Sequence, residues 1–308
     1  MSVDVRAGTG ALPLPEGVDE VDLVAVRTYW QLVRQRFLRH RLAVIAVVVL
    51  AILIVISIAV PLVTGIAYQS SSLTLIDDGS SLQAPLGYNE IGQNLFLRLT
   101  KATQTSLVIG FASVMLIGIV GAAVGSIAGY FGGWVDNVLM RVVDIVLSLP
   151  FLFLVLIIVS FFGIRDIRVI VLAIAFAGWT TAARLVRAEF LQLREADFVA
   201  AAKALGASPR RIIVRHMLPG AMAPLVVALS LGVADAIIGE SALSFLGFGI
   251  APPEISLGQM LQNYKEYFYS NSERILYPAV VLIAIVMCAS FLGDGLRDAL
   301  DPRQRVES

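Results

Sequence analysis

Two carboxylates sit where carboxylates are rare. Asp235 and Glu240 close an apolar run. An acidic residue in such a run faces a water-filled cavity or a partner. Two readings fit this pair equally: a polar lining of a translocation path, or a packed, hydrogen-bonded carboxylate. The two are five residues apart, so on a helix they need not share a face. Arg141 and Asp144 stand one turn apart near the start of another apolar run and are expected to pair, because unpaired charge in a membrane is costly. His40 and His216 both neighbour arginines and read as anchors at a membrane surface rather than as ligands. The single cysteine, Cys288, cannot form an internal disulfide, and no Cys/His cluster marks a metal site. No G-x-x-x-x-G-K-[ST] loop is present to cradle a phosphate, and no nucleophile, base and orienter stand together. An enzyme is not expected, and no cofactor is implied.

The elements that must position these residues are membrane helices. The chain is 58% hydrophobic and only 15% charged, where a soluble domain has about 25% charged residues. A formal net charge of zero gives no case for nucleic acid. Six runs are long enough to span: residues 42–63, 105–130, 138–162, 167–183, 217–239 and 276–296. Residues 1–26 carry Pro13, Pro15, Glu16, Asp19, Glu20 and Asp22, and read as a disordered tail rather than a signal peptide. Residues 27–41 read as a basic interfacial helix, with Trp30, Phe37 and Leu38 among five arginines. Residues 304–308 form a short tail. Arginine and lysine placement predicts the orientation. With the N-terminus inside, the inner side receives the arginines of residues 27–41, 184–215 and 297–305. The outer side receives only Arg98, Lys101, Arg165, Arg168, Lys265 and Arg274. Both termini are therefore expected in the cytoplasm.

The longest inward interruption is residues 194–219, READFVAAAKALGASPRRIIVRHMLP. Asp197 can cap a helix start. Phe198, Ala201, Ala202 and Leu205 then fall at i, i+3, i+4 and i+7 and make one apolar face. Gly206 ends that helix with a left-handed residue. Ser208 reads as a second N-cap with Pro209 at the first helical position, and Pro219 as the next break or kink. A short helix outside the membrane with an unburied apolar face suits docking into a groove on a partner. The plainer reading is an amphipathic helix lying on lipid.

This stretch resembles the cytoplasmic EAA loop of the inner-membrane subunits of ABC importers, with Ala200, Ala201, Ala202, Gly206, Leu218 and Pro219 at the motif positions. Ala200 departs from the family's usual Glu, which would complete a capping box with Asp197. Two further blocks carry the likeness. Pro85, Leu86, Gly87, Glu90 and Gly92 match an external Pro-Leu-Gly motif, while Tyr88, Asn89, Gln93 and Asn94 depart from it. Residues 240–249, followed by Pro252 and Pro253, are similar to a Glu-Ala-Ala-Leu-Ser-Phe-Leu-Gly-Leu-Gly block of peptide permeases. The resemblance covers about residues 27–303 and is nearest to the C-type permease subunit of dipeptide, oligopeptide and nickel importers.

That resemblance implies an all-α membrane protein with six transmembrane helices in the type I ABC importer permease (MetI-like) fold. It implies a six-span domain at 42–303, a coupling loop at 184–216, and a multi-pass place in a bacterial or archaeal inner membrane. The implied partners are a second permease subunit, two ABC ATPase subunits, an extracytoplasmic substrate-binding protein and membrane lipid. The implied coupling residues are Asp197, Phe198, Ala201, Ala202, Leu205, Gly206, Ser208 and Pro209. Peptides lead as substrate, with nickel or another small solute second. From the residues alone, two other classes stay open: a self-contained secondary transporter, which would show inverted repeats or broken helices around a midplane site, and a structural membrane protein with no conduit.

Two more features are independent of the resemblance. Gly121, Gly125, Gly129 and Gly133 are spaced by four, a pattern that lets membrane helices approach closely. Residues 255–268 form an external amphipathic segment with Leu257, Met260, Leu261 and Tyr264 at helical spacing, expected as part of an outer gate or a docking ledge.

Overall fold

The computed structural model describes residues 29–300 and is helical throughout its regular elements. The tails expected at 1–26 and 304–308 lie outside the described residues. A basic helix, α1 (Tyr29–Arg39), stops at His40. The imidazole Nδ1 of His40 accepts the Ala43 N–H at 3.1 Å and so caps α2 (Arg41–Thr64). His40 is thus a helix cap, which explains a polar residue at the edge of an apolar run. Exposed Ile45, Val48, Ile52 and Val55 run along α2, a surface that only lipid or another apolar partner can cover.

The second span is longer than its apolar core. α3 (Leu95–Phe131) has 37 residues, about 55 Å at 1.5 Å each, well beyond the ~30 Å hydrocarbon layer. Its polar first turns read as loop, yet Asn94 caps them by accepting the Phe96 and Leu97 N–H groups. Thr100 and Thr103 return their hydroxyls to Leu97 O and Leu99 O, so polar residues here are satisfied inside the helix.

The third span is not straight. α4 (Gly133–Leu147) and α5 (Phe151–Phe162) meet at 88° across Ser148, Leu149 and Pro150. Proline has no N–H to give and disfavours helix in the residue before it. The elbow therefore falls at the Leu149-Pro150 pair, inside what the sequence reads as one run. α6 (Ile167–Leu193) outruns its apolar stretch by ten residues. The short α7 (Asp197–Ala204) follows. α8 (Pro209–Arg211) then passes through a π-helical segment, Ile212–Met217, into α9 (Leu218–Phe245). Pro219 was expected to break or kink this path. The helix instead runs on, and the missing Pro219 N–H is accommodated by the π turn just before it. α10 (Leu257–Tyr264) and α11 (Glu273–Leu300) complete the chain.

Among the described residues five helices are long and apolar enough to cross a membrane, and the bent α4–α5 pair, taken as one span, makes a sixth. α3 and α6 form the most extensive pair, α9 packs on both α3 and α11, and α2 closes the far side against α11. The main core lies among these helices. A second core gathers Val186, Phe190, Val199, Ile212 and Met217 at the end where α6 meets α7 and the π-helical segment.

Candidate functional site

The polar stretch between α6 and α9 is built from both sides. α7 starts one residue earlier in register than the sequence reading has it. Ala196 is the N-cap, without a side-chain cap, and Asp197 is the first helical residue, exposed and making no cap bond. Asp197 as N-cap is therefore corrected. The negative charge still sits where the helix dipole favours it. Val199, which pattern reading missed, is fully buried, and Ala202 is nearly so. Both pack against Phe190, Ile212 and Met217. Phe198, Ala201 and Leu205 point the other way, with Leu205 88% and Phe198 47% exposed. The expected four-residue face thus splits, and Ala202 belongs to the inner side. The signal was weak because five apolar residues run consecutively from Phe198 to Ala202.

Gly206 turns the chain at φ +77°. Its N–H reaches Lys203 O at 2.9 Å, and the Ala207 N–H reaches back to Ala202 O at 3.0 Å, the double closure that a left-handed C-terminal residue permits. A Cβ on Gly206 would meet nothing within 4 Å, so the backbone angle alone asks for glycine. Ser208 precedes Pro209 at the start of α8, but its hydroxyl makes no cap bond. Lys203 lies 5.8 Å above the Tyr130 ring, tying α7 to the end of α3.

Behind α7 stands the α3–α6 interface. A Cβ on Gly121 would lie 2.5 Å from that of Ala182, one on Gly129 2.5 Å from that of Phe190, and one on Gly125 would strike Ala183 O and come 2.8 Å from Val186 Cβ. Three of the four spaced glycines therefore bring α6 onto α3. Gly133 does not join them: it opens α4, and a Cβ there would meet nothing within 4 Å. The predicted Arg141–Asp144 pair is also corrected. Asp144 takes Arg184 of α6 at 2.6 Å, and Asp136 takes Arg187 through two bonds of 2.5 and 2.6 Å. These two ties carry α6 past its apolar stretch and strap α4 across it. Local spacing could not show partners some forty to fifty residues away.

The two acids of α9 part company. Glu240 is wholly buried and does not line a path. Two hydrogen-bond relays converge on it from the start of α10. The Gln259 N–H donates to Ser256 Oγ, Ser256 to Ser244, and Ser244 to Glu240 Oε1 at 2.6 Å. The Leu257 N–H donates to Ser106 Oγ, which donates to Glu240 Oε2 at 3.2 Å. Every donor runs toward the carboxylate, so Glu240 fixes α10 to α9 and α3. Leu257, Met260 and Tyr264 are buried beneath α10 in consequence. Asp235 is exposed and borders a cavity of about 780 Å³ among α3, the α4–α5 elbow, α6 and α9.

Residues 121–306 match the family described as the binding-protein-dependent transport system inner membrane component, and residues 28–85 match the N-terminal TM domain of oligopeptide transport permease C. The chain belongs to the permease family of ABC importers. It is 39% identical to the oligopeptide transport system permease protein OppC of Mycobacterium tuberculosis, over 89% of this chain and 94% of that one. It is 36% identical to OppC of Escherichia coli K12, over 91% and 93%. It is 33% identical to the dipeptide transport system permease protein DppC of Alkalihalophilus pseudofirmus, over 95% and 96%. A solved inward-facing structure of the MetNI methionine ABC transporter shares the fold, with TM-score 0.53 and 23% identity over 66% of this chain and 96% of that one. The protein is thus a multi-pass inner-membrane permease subunit with the type I fold. ATP hydrolysis in this family belongs to separate ATPase subunits, and a substrate-binding partner is part of the system.

In this permease the residues that depart from the family's external motif form an amide network. Asn89 Oδ1 accepts the Ile91 and Gln93 N–H groups, and Asn89 Nδ2 donates to Gln93 Oε1 at 3.2 Å. Asn94 caps α3 and also donates to Gln83 O. Arg274 of α11 then holds the segment from the far side. It pairs with Asp77 at 2.5 Å and Glu90 at 3.4 Å and stacks over Tyr267. Sequence reading named neither acidic partner of Arg274, since both lie more than 180 residues away.

Proposed function

We propose that this permease forms half of the translocation pore of a di- or oligopeptide importer, beside a second permease subunit, two ATPases and an extracytoplasmic binding protein. Both termini face the cytoplasm in this reading, and the loop at 184–216 couples ATP hydrolysis to transport. The observation that carries it is the two-sidedness of α7. Its inner side, Val199 and Ala202, is locked into the core that α6 and the π-helical segment share, while its outer edge of Phe198, Ala201 and Leu205 is bare. A helix rigidly backed on one side and apolar on the other transmits a push from a partner to α6 and α9. The arginine and lysine asymmetry supports the orientation, and the names of the relatives support peptides as substrate. When the ATPases close, α7 is pushed, the glycine-packed α3–α6 pair moves with it, and the pore exchanges its access.

Two measurements test this. The tagged permease expressed from its own operon should bring ATPase subunits with it, and proteoliposomes of that complex with the binding protein should take up labelled oligopeptide with ATP. A cysteine at Ser208 should resist an impermeant thiol reagent added outside, and one at Ser80 should react. Both positions are exposed in the fold. The reverse labelling pattern sinks the orientation, and purification without an ATPase sinks the coupling.

A further inference from the structure

The cavity beside Asp235 is a built site that no step above uses. Its walls come from four elements, with Ile117 of α3, Pro150 and Phe151 of the elbow, Thr180 of α6, and Leu229 and Asp235 of α9 among them. Its volume of about 780 Å³ falls within the ~300–1,000 Å³ of sites for small organic ligands. Most of the wall is aliphatic or aromatic. Asp235 is the single charged side chain in it, and no described residue gives that carboxylate an ion pair or a hydrogen bond. A carboxylate without a partner inside a membrane span is expensive, so this face is turned to a ligand, to water or to the second permease subunit, and not to lipid. The other acid of the helix shows the contrast, because every donor around Glu240 is already committed to it.

We propose that this cavity binds an amphipathic ammonium. The charged nitrogen sits on Asp235, and the apolar part lies against Ile117, Phe151 and Leu229. Resting on the peptide reading above, the natural occupant is the free amino-terminal end of a peptide in transit, with an apolar side chain close to it. The site then distinguishes a free amine from a capped one inside the membrane, after the binding protein has released its cargo.

The test uses the permease copurified with its partners, carrying Cys288→Ser to remove the native thiol and Thr181→Cys to place one on the cavity wall. Thr181 borders the cavity and is exposed there. Labelling by the neutral reagent N-ethylmaleimide is followed with n-hexylammonium or n-hexanol present. The ammonium is expected to protect at about tenfold lower concentration than the alcohol, the effect of one modest charge contact, and Asp235→Asn should remove the difference. Equal protection by amine and alcohol in the Asp235 protein overturns the proposal, and this comparison stands even if Asp235→Asn fails to assemble. Uptake of a free-amine oligopeptide and its N-acetyl form is measured on the same preparation. Amine-selective protection with uptake of neither peptide leaves the ammonium site standing and removes the peptide reading. Uptake of both peptides at equal efficiency, with no amine-selective protection, removes the site and leaves the peptide reading.

Discussion

Between α2 and α3 the chain leaves its helical frame at residues 65–94, and between α6 and α9 it leaves again around α7. The first excursion is finished by its own chain. Asn89, Gln93 and Asn94 are buried and bonded to one another or to backbone, and Arg274 grips Asp77 and Glu90 from α11. The second is finished on one side only. Val199 and Ala202 are packed, but Phe198 and Leu205 stand in the open. One excursion has spent its polar groups internally, and the other keeps apolar surface in reserve. Reserved apolar surface on a rigid support is what a partner subunit uses. Substitutions in the two excursions should therefore fail differently, and both should fail if the frame they share is broken.

Breaking the frame has the largest expected effect. Gly125→Leu pushes a side chain into Ala183 O and Val186, a backbone collision that cannot be relieved by a rotamer. Overpacking costs about 1–3 kcal/mol and more when backbone must move, so the variant should lose monodispersity on size exclusion and melt far below the parent. A parent-like melting curve would mean α6 does not lie on α3. Next come the open-side substitutions. Phe198→Ala should leave insertion and melting unchanged but weaken ATPase retention by about 2 kcal/mol, roughly thirtyfold. Gly206→Val should do the same through the backbone, since a left-handed β-branched residue costs about 1–2 kcal/mol. Gly206→Asn, which tolerates that conformation, should retain more ATPase than the valine variant. Full ATPase retention and full transport in both Phe198→Ala and Gly206→Val would end the coupling assignment.

The comparison also shows where sequence reading stops. The spans were legible because apolar runs need no partner to be recognised, and the turn at Gly206 because its chemistry is local. Three of the four glycines were legible as a close-packing face, and the fourth fell outside because α3 ends at Phe131 before it. What escaped depends on residues distant in the chain. Asp144 chose Arg184 over the nearer Arg141, Glu240 was claimed by Ser106 from α3, and Arg274 reached back to Asp77 and Glu90. The elbow at Pro150 had a local signal, the proline itself, which the length of the surrounding apolar run hid.

On the self-finished side the effects should be smaller and should spare ATPase binding. Glu240→Leu leaves the Ser106 and Ser244 donors without an acceptor, about 1–3 kcal/mol, and releases α10. Glu240→Gln keeps one carbonyl oxygen and should lose less in both melting temperature and transport. Near-parental behaviour of both would make the relays decorative. Arg274→Ala removes a buried guanidinium from partners that are themselves partly exposed. Water can replace it on the outer side, so about 1 kcal/mol is expected, close to the upper end for exposed pairs. ATPase retention should not change. A loss of ATPase with Arg274→Ala would mean the two excursions are coupled rather than separate.

The smallest effect is expected at Ala200, where the EAA motif that this stretch resembles has Glu. Pattern reading places Glu there as the far half of a capping box with Asp197. The observed register removes that reason, because Ala196 is the N-cap and Val199, not residue 200, holds the third helical position with its side chain buried. A glutamate at 200 cannot return to the Ala196 N–H in box geometry. It can still act on the helix dipole, because position 200 is exposed and lies in the first turn or so of α7. That contribution is about 0.3–1 kcal/mol at low salt and fades as salt screens it. Ala200→Glu should therefore raise ATPase retention slightly at low ionic strength and lose the gain at high ionic strength. A gain that persists at high salt would point instead to a direct, desolvated contact between residue 200 and the ATPase. It would also place residue 200 on the bare docking edge with Phe198, Ala201 and Leu205.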